Sequence, residues 1–283
     1  MEAMKIEKAK KLGLCFGVRR AIKLLKEAAN KYGTIETLGP VAHNRLLVEA
    51  LANAGVKPID HPDQFQGTIL AITTHGASPT ILSELKARRI QIIDTTCPIV
   101  RRAQNTANKL ADTGFDIIIF GDANHSEVKG LLGWAKEKGK VALTVNHLDW
   151  SAKSPSRVGI ISQTTQTYTA FMGFARQLMD MVGPKIEEIR LVNTLCKVTQ
   201  AQQQAAVELA GKTQLMIVIG GRNSANTRHL VEICSPIVET HLVETAQDVD
   251  KSWLVGKHHI GVTAGASTPD EAVEDLITTL RSQ

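Results

Sequence analysis

The chain has 283 residues, with 33 Lys and Arg against 28 Asp and Glu, a formal charge of +5, and 43% hydrophobic residues. These are globular proportions, which exclude a mainly disordered chain, a collagen and a coiled coil; at roughly 100–200 residues per domain the length suggests two or three domains. Aromatics make up only 4%, too few for a protein that stacks many bases, and no apolar run approaches the ~18 residues of a membrane helix. The opening Met1-Glu2-Ala3-Met4-Lys5 carries no apolar leader, so the expectation is a soluble, cytoplasmic protein with no nucleic-acid or membrane partner. In that reducing compartment the four cysteines are free, catalytic or metal-bound. The charge favours anionic partners mildly.

Six times an aliphatic or β-branched run leads into a small polar loop and then a helical pattern. The runs are Thr34–Leu38, Thr68–Ile72, Asp116–Phe120, Val158–Ile161, Leu215–Ile219 and His259–Val262. The loops that follow include His43-Asn44, Thr74-His75-Gly76, His125-Ser126-Glu127, Gln163-Thr164-Thr165, Asn223-Ser224-Ala225-Asn226 and Ala266-Ser267. Continuous apolar runs suit buried parallel strands, so the alternation predicts an α/β protein with parallel sheets.

A second repeat is sharper. Cys15-Phe-Gly-Val-Arg-Arg-Ala21 and Cys97-Pro-Ile-Val-Arg-Arg-Ala103 share five of seven positions, and Cys196-Lys-Val-Thr-Gln-Ala201 is a looser copy. Each cysteine opens an amphipathic pattern with a glycine stop, at Gly33, Gly114 and Gly211. The simplest architecture is three similar αβ lobes about a pseudo-threefold axis: 16–96, 97–194 and 195–283, joined by segment 1–15. Ligands of parallel sheets sit at the carboxyl ends of the strands, where the six loops lie. A helix start lowers a thiol's pKa, and three thiolates form a soft site for an iron–sulfur cluster or zinc. A [4Fe–4S] cluster on three cysteines keeps one iron open for substrate. Cys234 follows Val231-Glu232-Ile233 and reads as core.

His43, His75 and His125 occupy equivalent loops, which points to a shared anion-binding task; the other six histidines receive no role. Ser224, Asn226 and Ser267 stand at helix starts, as N-caps or as phosphate donors. Glu127 is the carboxylate close to a loop histidine, either a first-turn helix acid or an acid–base group. P-loop and Rossmann glycine patterns are absent.

At these stretches, from Cys15 to Asp270, the sequence resembles the LytB/IspH family of 4-hydroxy-3-methylbut-2-enyl diphosphate reductases. The matching motifs are Leu14–Val18, Val41–Arg45, Thr74–Ser78, Asp94–Pro98, His125–Gly130, Gln163–Thr165, Asn223–Asn226 and Gly261–Ser267. The resemblance implies a trefoil of αβ lobes around a [4Fe–4S] cluster bound by Cys15, Cys97 and Cys196. It implies diphosphate binding by His43, His75, His125, Ser224, Asn226 and Ser267, contact of Thr164 with the substrate hydroxyl, and proton supply by Glu127 beside His125. The activity implied is reductive dehydroxylation to isopentenyl and dimethylallyl diphosphate, the last step of the non-mevalonate pathway, with a ferredoxin or flavodoxin-type electron donor. Ala225 departs from the family's usual serine and loses a hydroxyl. The competing readings are an aconitase-like hydro-lyase, a non-catalytic iron–sulfur sensor or nucleic-acid binder, and a three-cysteine zinc protein.

Overall fold

Strands come in fours in the computed structural model, which describes residues 4–148, 155–182 and 186–282. In chain order the elements are β1 (Lys5–Lys8), α1 (Phe16–Tyr32), β2 (Ile35–Leu38), α2 (Arg45–Asn53), β3 (Val56–Ile59), β4 (Ile69–Ile72), α3 (Pro79–Ala87) and β5 (Gln91–Asp94). Next come α4 (Pro98–Asp112), β6 (Asp116–Phe120), α5 (Ser126–Trp134), β7 (Gly139–Ala142), β8 (Arg157–Ser162), α6 (Tyr168–Val182) and β9 (Glu188–Leu191). Last are α7 (Lys197–Ala210), β10 (Leu215–Ile219), α8 (Ala225–Cys234), β11 (Thr240–Val243), β12 (His259–Ala264) and α9 (Asp270–Arg281).

The sheets repeat one plan, with orders β3-β2-β4-β5, β7-β6-β8-β9 and β11-β10-β12-β1. The fold is therefore three parallel-sheet αβ lobes, and the third sheet takes its last edge strand from the chain's N-terminus. The six expected runs are the central strands. Each sheet has two edge strands besides, of four residues each, and every cysteine-headed helix follows one: β1 before Cys15, β5 before Cys97, β9 before Cys196. The six strand–loop–helix units fall two to a lobe, and each sheet adds two edge strands that the apolar runs do not announce.

The residues pack as two compact units: Met1–Lys26, Pro40–Val56 and Lys197–Gln283 in one, and Glu27–Gly39 with Lys57–Cys196 in the other. In the first unit, alternate residues of β10 serve opposite layers. Leu215, Ile217 and Ile219 pack with Val273, Leu276, Ile277 and Leu280 of α9. Met216 and Val218 pack with Ala206 and Leu209 of α7 and Leu230 of α8. A sheet covered on both faces needs apolar side chains at every position, which is why the run is unbroken. The second unit repeats this around β6. Ile118 and Phe120 meet Phe171, Phe174 and Leu178 of α6; Ile117 and Ile119 meet Ala103, Ala107 and Leu110 of α4 and Leu131 of α5. Each fully buried Ile or Leu is worth about 1.5–3 kcal/mol.

Candidate functional site

Three equivalent hydrogen bonds set the cysteines. The backbone N–H of Cys15 donates to the Ala266 carbonyl (2.9 Å), that of Cys97 to Thr74 (3.1 Å) and that of Cys196 to Thr164 (2.8 Å). Each acceptor belongs to the polar loop after a central strand, so each cysteine is tied to the carboxyl end of a sheet. Two of the approaches share a turn that sequence reading missed. Asp94 accepts the Thr96 N–H at 2.9 Å and Asn193 accepts the Leu195 N–H at 3.0 Å. Thr95 and Thr194 then tie back to the Ile72 and Ser162 carbonyls, at 2.6 and 2.5 Å. The signal was present as Asx-Thr-x-Cys in both copies, because Asx side chains fold the chain onto itself two residues on.

The second unit carries Cys97, Cys196, His75, His125, Glu127 and Thr164. His125 caps α5, its Nδ1 accepting the Glu127 N–H at 3.2 Å. A neutral ring in that arrangement presents Nε2–H outward. The His75 ring meets it edge-on, with centroids 5.5 Å apart. Glu127 is 2% exposed. Its carboxylate accepts the Thr164 N–H at 2.6 Å and the Thr164 hydroxyl at 2.8 Å. Burial pushes its pKa up from 4.5 to about 7 against those two bonds, so near neutral pH the carboxyl holds a proton that it can release.

Cys97 opens α4, and the expected depression of its thiol pKa is reversed. Burial pushes it up, outweighing hydrogen bonds from the N–H groups of Ile99 and Val100; the nearby negative charges of Cys196 and Glu127 push the same way. No cysteine forms a disulfide. Cys234 is fully buried in the core with Leu230 and Ala206, and burial lifts its thiol to about 11.

The first unit carries Cys15, His43, Ser224, Asn226 and Ser267. Ser224 caps α8 by accepting the Thr227 N–H at 3.4 Å, so its cap role is real. Asn226 and Ser267 differ. They are 3% and 6% exposed, and neither the Asn226 amide nor the Ser267 hydroxyl has a protein hydrogen-bond partner. Leaving such groups buried costs about 1–3 kcal/mol each, a cost that a bound polar ligand removes. Thr227 and Thr263 also have unmatched buried hydroxyls, and in the second unit Gln104 is fully buried with both amide atoms unmatched. Gln104 could have been noticed as the polar residue on the buried stripe Val100-Ala103-Ala107 of α4.

His43 lies just before Asn44, whose side chain caps α2. Burial lowers its imidazole pKa, with the charge of Arg228 acting second; at neutral pH it is an uncharged donor. Its loop is held by Gly221. A Cβ there would collide with the His43 carbonyl, so only glycine lets the two loops close on each other. Ala225 is buried at the first position of α8, with no hydroxyl to offer.

The model of a family described as LytB protein matches residues 6–281. The chain is 45% identical over 273 residues to the 4-hydroxy-3-methylbut-2-enyl diphosphate reductase of Dehalococcoides mccartyi, covering 96% of both chains. It is 37% identical over 281 residues to that of Geobacter metallireducens, covering 98% of this chain and 97% of the relative. Among solved structures it resembles (E)-4-hydroxy-3-methyl-but-2-enyl diphosphate reductase, the terminal enzyme of the non-mevalonate pathway: TM-score 0.72, 33% identity, 99% of this chain and 100% of the other. It also resembles the E-1-hydroxy-2-methyl-but-2-enyl-4-diphosphate reductase from Plasmodium falciparum: TM-score 0.91, 26% identity, 98% of this chain and 88% of the other.

Proposed function

The chain belongs to the LytB family, and we propose that it is a reductase of (E)-4-hydroxy-3-methylbut-2-enyl diphosphate, acting at the last step of the non-mevalonate isoprenoid pathway. The overall change consumes two electrons and two protons: the allylic C–O bond breaks, water leaves, and a C–H bond forms at one end of the allyl system. Isopentenyl and dimethylallyl diphosphate are the two outcomes. The observation that carries this reading is Thr164, which gives its N–H and hydroxyl to a buried, protonatable Glu127 and its carbonyl to the N–H of Cys196.

We assign Cys15, Cys97 and Cys196 as ligands of a [4Fe–4S] cluster with one open iron. The donor set suits it: three thiols outside any disulfide beside helix starts, with N–H groups of Ile99 and Val100 bonded to the Cys97 thiol, where they favour its thiolate form. When bound, the cluster would relay the two electrons one at a time from an external donor and supply a Lewis-acid iron for the substrate hydroxyl.

The side chains do the rest. Asn226, Ser267, Ser224 and His43 in one unit, and His75 and His125 in the other, are proposed to hold the diphosphate through N–H and O–H donors. The buried, unmatched Asn226 and Ser267 support that role most directly. Thr164 orients the substrate hydroxyl, and its own hydroxyl proton already points to Glu127. Glu127 holds a proton at its carboxyl and delivers it to the leaving oxygen or the allyl carbon, with His125 fixing the start of its helix. We further propose lobes at 16–96, 97–194 and 195–283, a cytoplasmic location, and a ferredoxin or flavodoxin-type donor; no described helix is long and apolar enough to cross a membrane.

The test is anaerobic incubation of the reconstituted protein with the hydroxy diphosphate, with and without reduced methyl viologen. Product that forms only with the viologen supports the reductase. Turnover without it supports an aconitase-like hydro-lyase instead.

A further inference from the structure

The chain's positive charge is not spread along it. From Lys8 to Lys26 there are seven Lys and Arg and no acid, which leaves 26 of the 33 bases against all 28 acids elsewhere. The rest of the chain is therefore slightly acidic, and the whole basic excess belongs to the segment that carries Cys15.

Within the unit, Lys8 pairs with Glu274 and Arg19 with Asp270, both at 2.9 Å. Lys10, Lys11, Lys23 and Lys26 are solvent-exposed. On α1, Arg20, Lys23 and Lys26 follow Phe16 at four, seven and ten residues, which places all four on one side of the helix. The first acid on that side, Glu27, comes eleven residues on, about three turns away. Phe16 itself is 63% exposed and directly follows Cys15. The equivalent position in the second copy is Pro98, where Arg101 pairs with Asp94 and Arg102 reaches the Leu195 carbonyl. The first copy thus differs in its exposed aromatic, on a helix side that also carries exposed Lys23 and Lys26, in a segment where Lys10 and Lys11 are exposed as well.

We propose that this surface, Phe16 with Lys10, Lys11, Lys23 and Lys26, is the docking site of the electron donor, an acidic one-electron carrier protein. The inference rests on the reductase reading, which needs two electrons that the chain cannot supply. Two reduced carriers, each oxidised by one electron, serve one turnover; the two protons come through the protein. Complementary charge steers such short-lived encounters, by ten- to a thousandfold in rate at low salt. An exposed ring at the centre gives the contact its apolar anchor. Its position beside Cys15 places the anchor next to a proposed cluster ligand.

The test uses flavodoxin as probe with the anaerobically reconstituted protein. Binding of oxidised flavodoxin is measured by calorimetry at low and high salt, and turnover is measured with reduced flavodoxin and, separately, with reduced methyl viologen. The triple change Lys10→Glu, Lys11→Glu, Lys26→Glu should weaken flavodoxin binding at least tenfold and remove most of its salt dependence. Phe16→Ala should weaken binding at both salt concentrations while the cluster's visible absorption stays. Viologen-driven turnover of the triple variant should stay within twofold of wild type. Unchanged flavodoxin affinity in both variants would overturn the docking site, as would binding of a DNA duplex as tight as that of flavodoxin. Absence of viologen-driven turnover in the wild type would instead count against the reductase reading itself.

Discussion

Glu127 holds Thr164 at two points, its two carboxylate oxygens accepting the backbone N–H at 2.6 Å and the hydroxyl at 2.8 Å. Thr164 then accepts the N–H of Cys196 through its carbonyl. The acid therefore fixes the loop that meets the third cysteine-headed helix, and is itself oriented by that loop. A carboxyl desolvated to this degree would ordinarily be neutralised; the two donors keep its pKa near 7 rather than higher.

That raised pKa has a consequence for stability. The folded protein keeps the Glu127 proton where the unfolded chain, at about 4.5, has lost it. Folding is therefore penalised progressively as pH rises from about 4.5 to about 7, and the penalty is constant above and absent below. Glu127→Gln has no such slope. Urea unfolding at pH 4.5 and pH 8 should show the variant gaining on wild type by a few kcal/mol, at about 1.4 kcal/mol per pKa unit. An equal difference at both pH values would mean that folding leaves the Glu127 pKa unshifted.

The cysteines separate by role. Cys15→Ser, Cys97→Ser and Cys196→Ser should each abolish the cluster's visible absorption after anaerobic reconstitution. Cys234→Ser, in the α8 core, should leave that absorption nearly intact and cost about 1 kcal/mol of stability or a little more, because a hydroxyl replaces a buried sulfur. An essential Cys234 with one of the other three dispensable would break the threefold assignment.

Asn226 trades stability for binding. Its buried amide lacks protein partners, so Asn226→Ala should not lower the melting temperature and should raise it if the relieved polar group outweighs the small cavity. The same variant should lose about ten- to hundredfold in diphosphate affinity, for a charge-assisted bond of about 1.5–3 kcal/mol. Calorimetry beside thermal melting reads both; unchanged affinity would remove Asn226 from the site.

Gly221→Ala tests the closure of the two loops in the first unit. The added methyl meets the His43 carbonyl, so the backbone must shift. Diphosphate affinity should fall by about tenfold or more while the cluster still assembles, and affinity equal to wild type would show that the His43 loop has room to spare.

The central strands were legible because a parallel strand covered on both faces has no polar position to disguise it, as Leu215–Ile219 shows. Edge strands such as Lys5–Lys8 and Gln91–Asp94 were not, since four residues with solvent-facing Lys, Glu, Gln or Asp carry no such run. Of the site, the cysteines were readable as a repeat of local sequence. The hold of Glu127 on Thr164 was not, because it joins residues 37 apart through tertiary folding. The thiol expectation failed at Cys97 because helix position is visible in sequence and burial is not. Likewise a net charge of +5 hid its own location, all of it between Lys8 and Lys26.

The most direct measurement is single-turnover reduction of the hydroxy diphosphate by the Glu127→Gln protein beside wild type, each with excess reduced methyl viologen to supply both electrons, with cluster content and substrate affinity measured on the same samples. The variant keeps the size and hydrogen-bonding reach of the side chain and has no proton to release. The account predicts an intact cluster, substrate affinity close to wild type, and product formation slowed by about 10²–10⁴-fold. A near-normal rate of product formation would contradict it, and would reduce Glu127 to an acid that merely favours the first turn of α5.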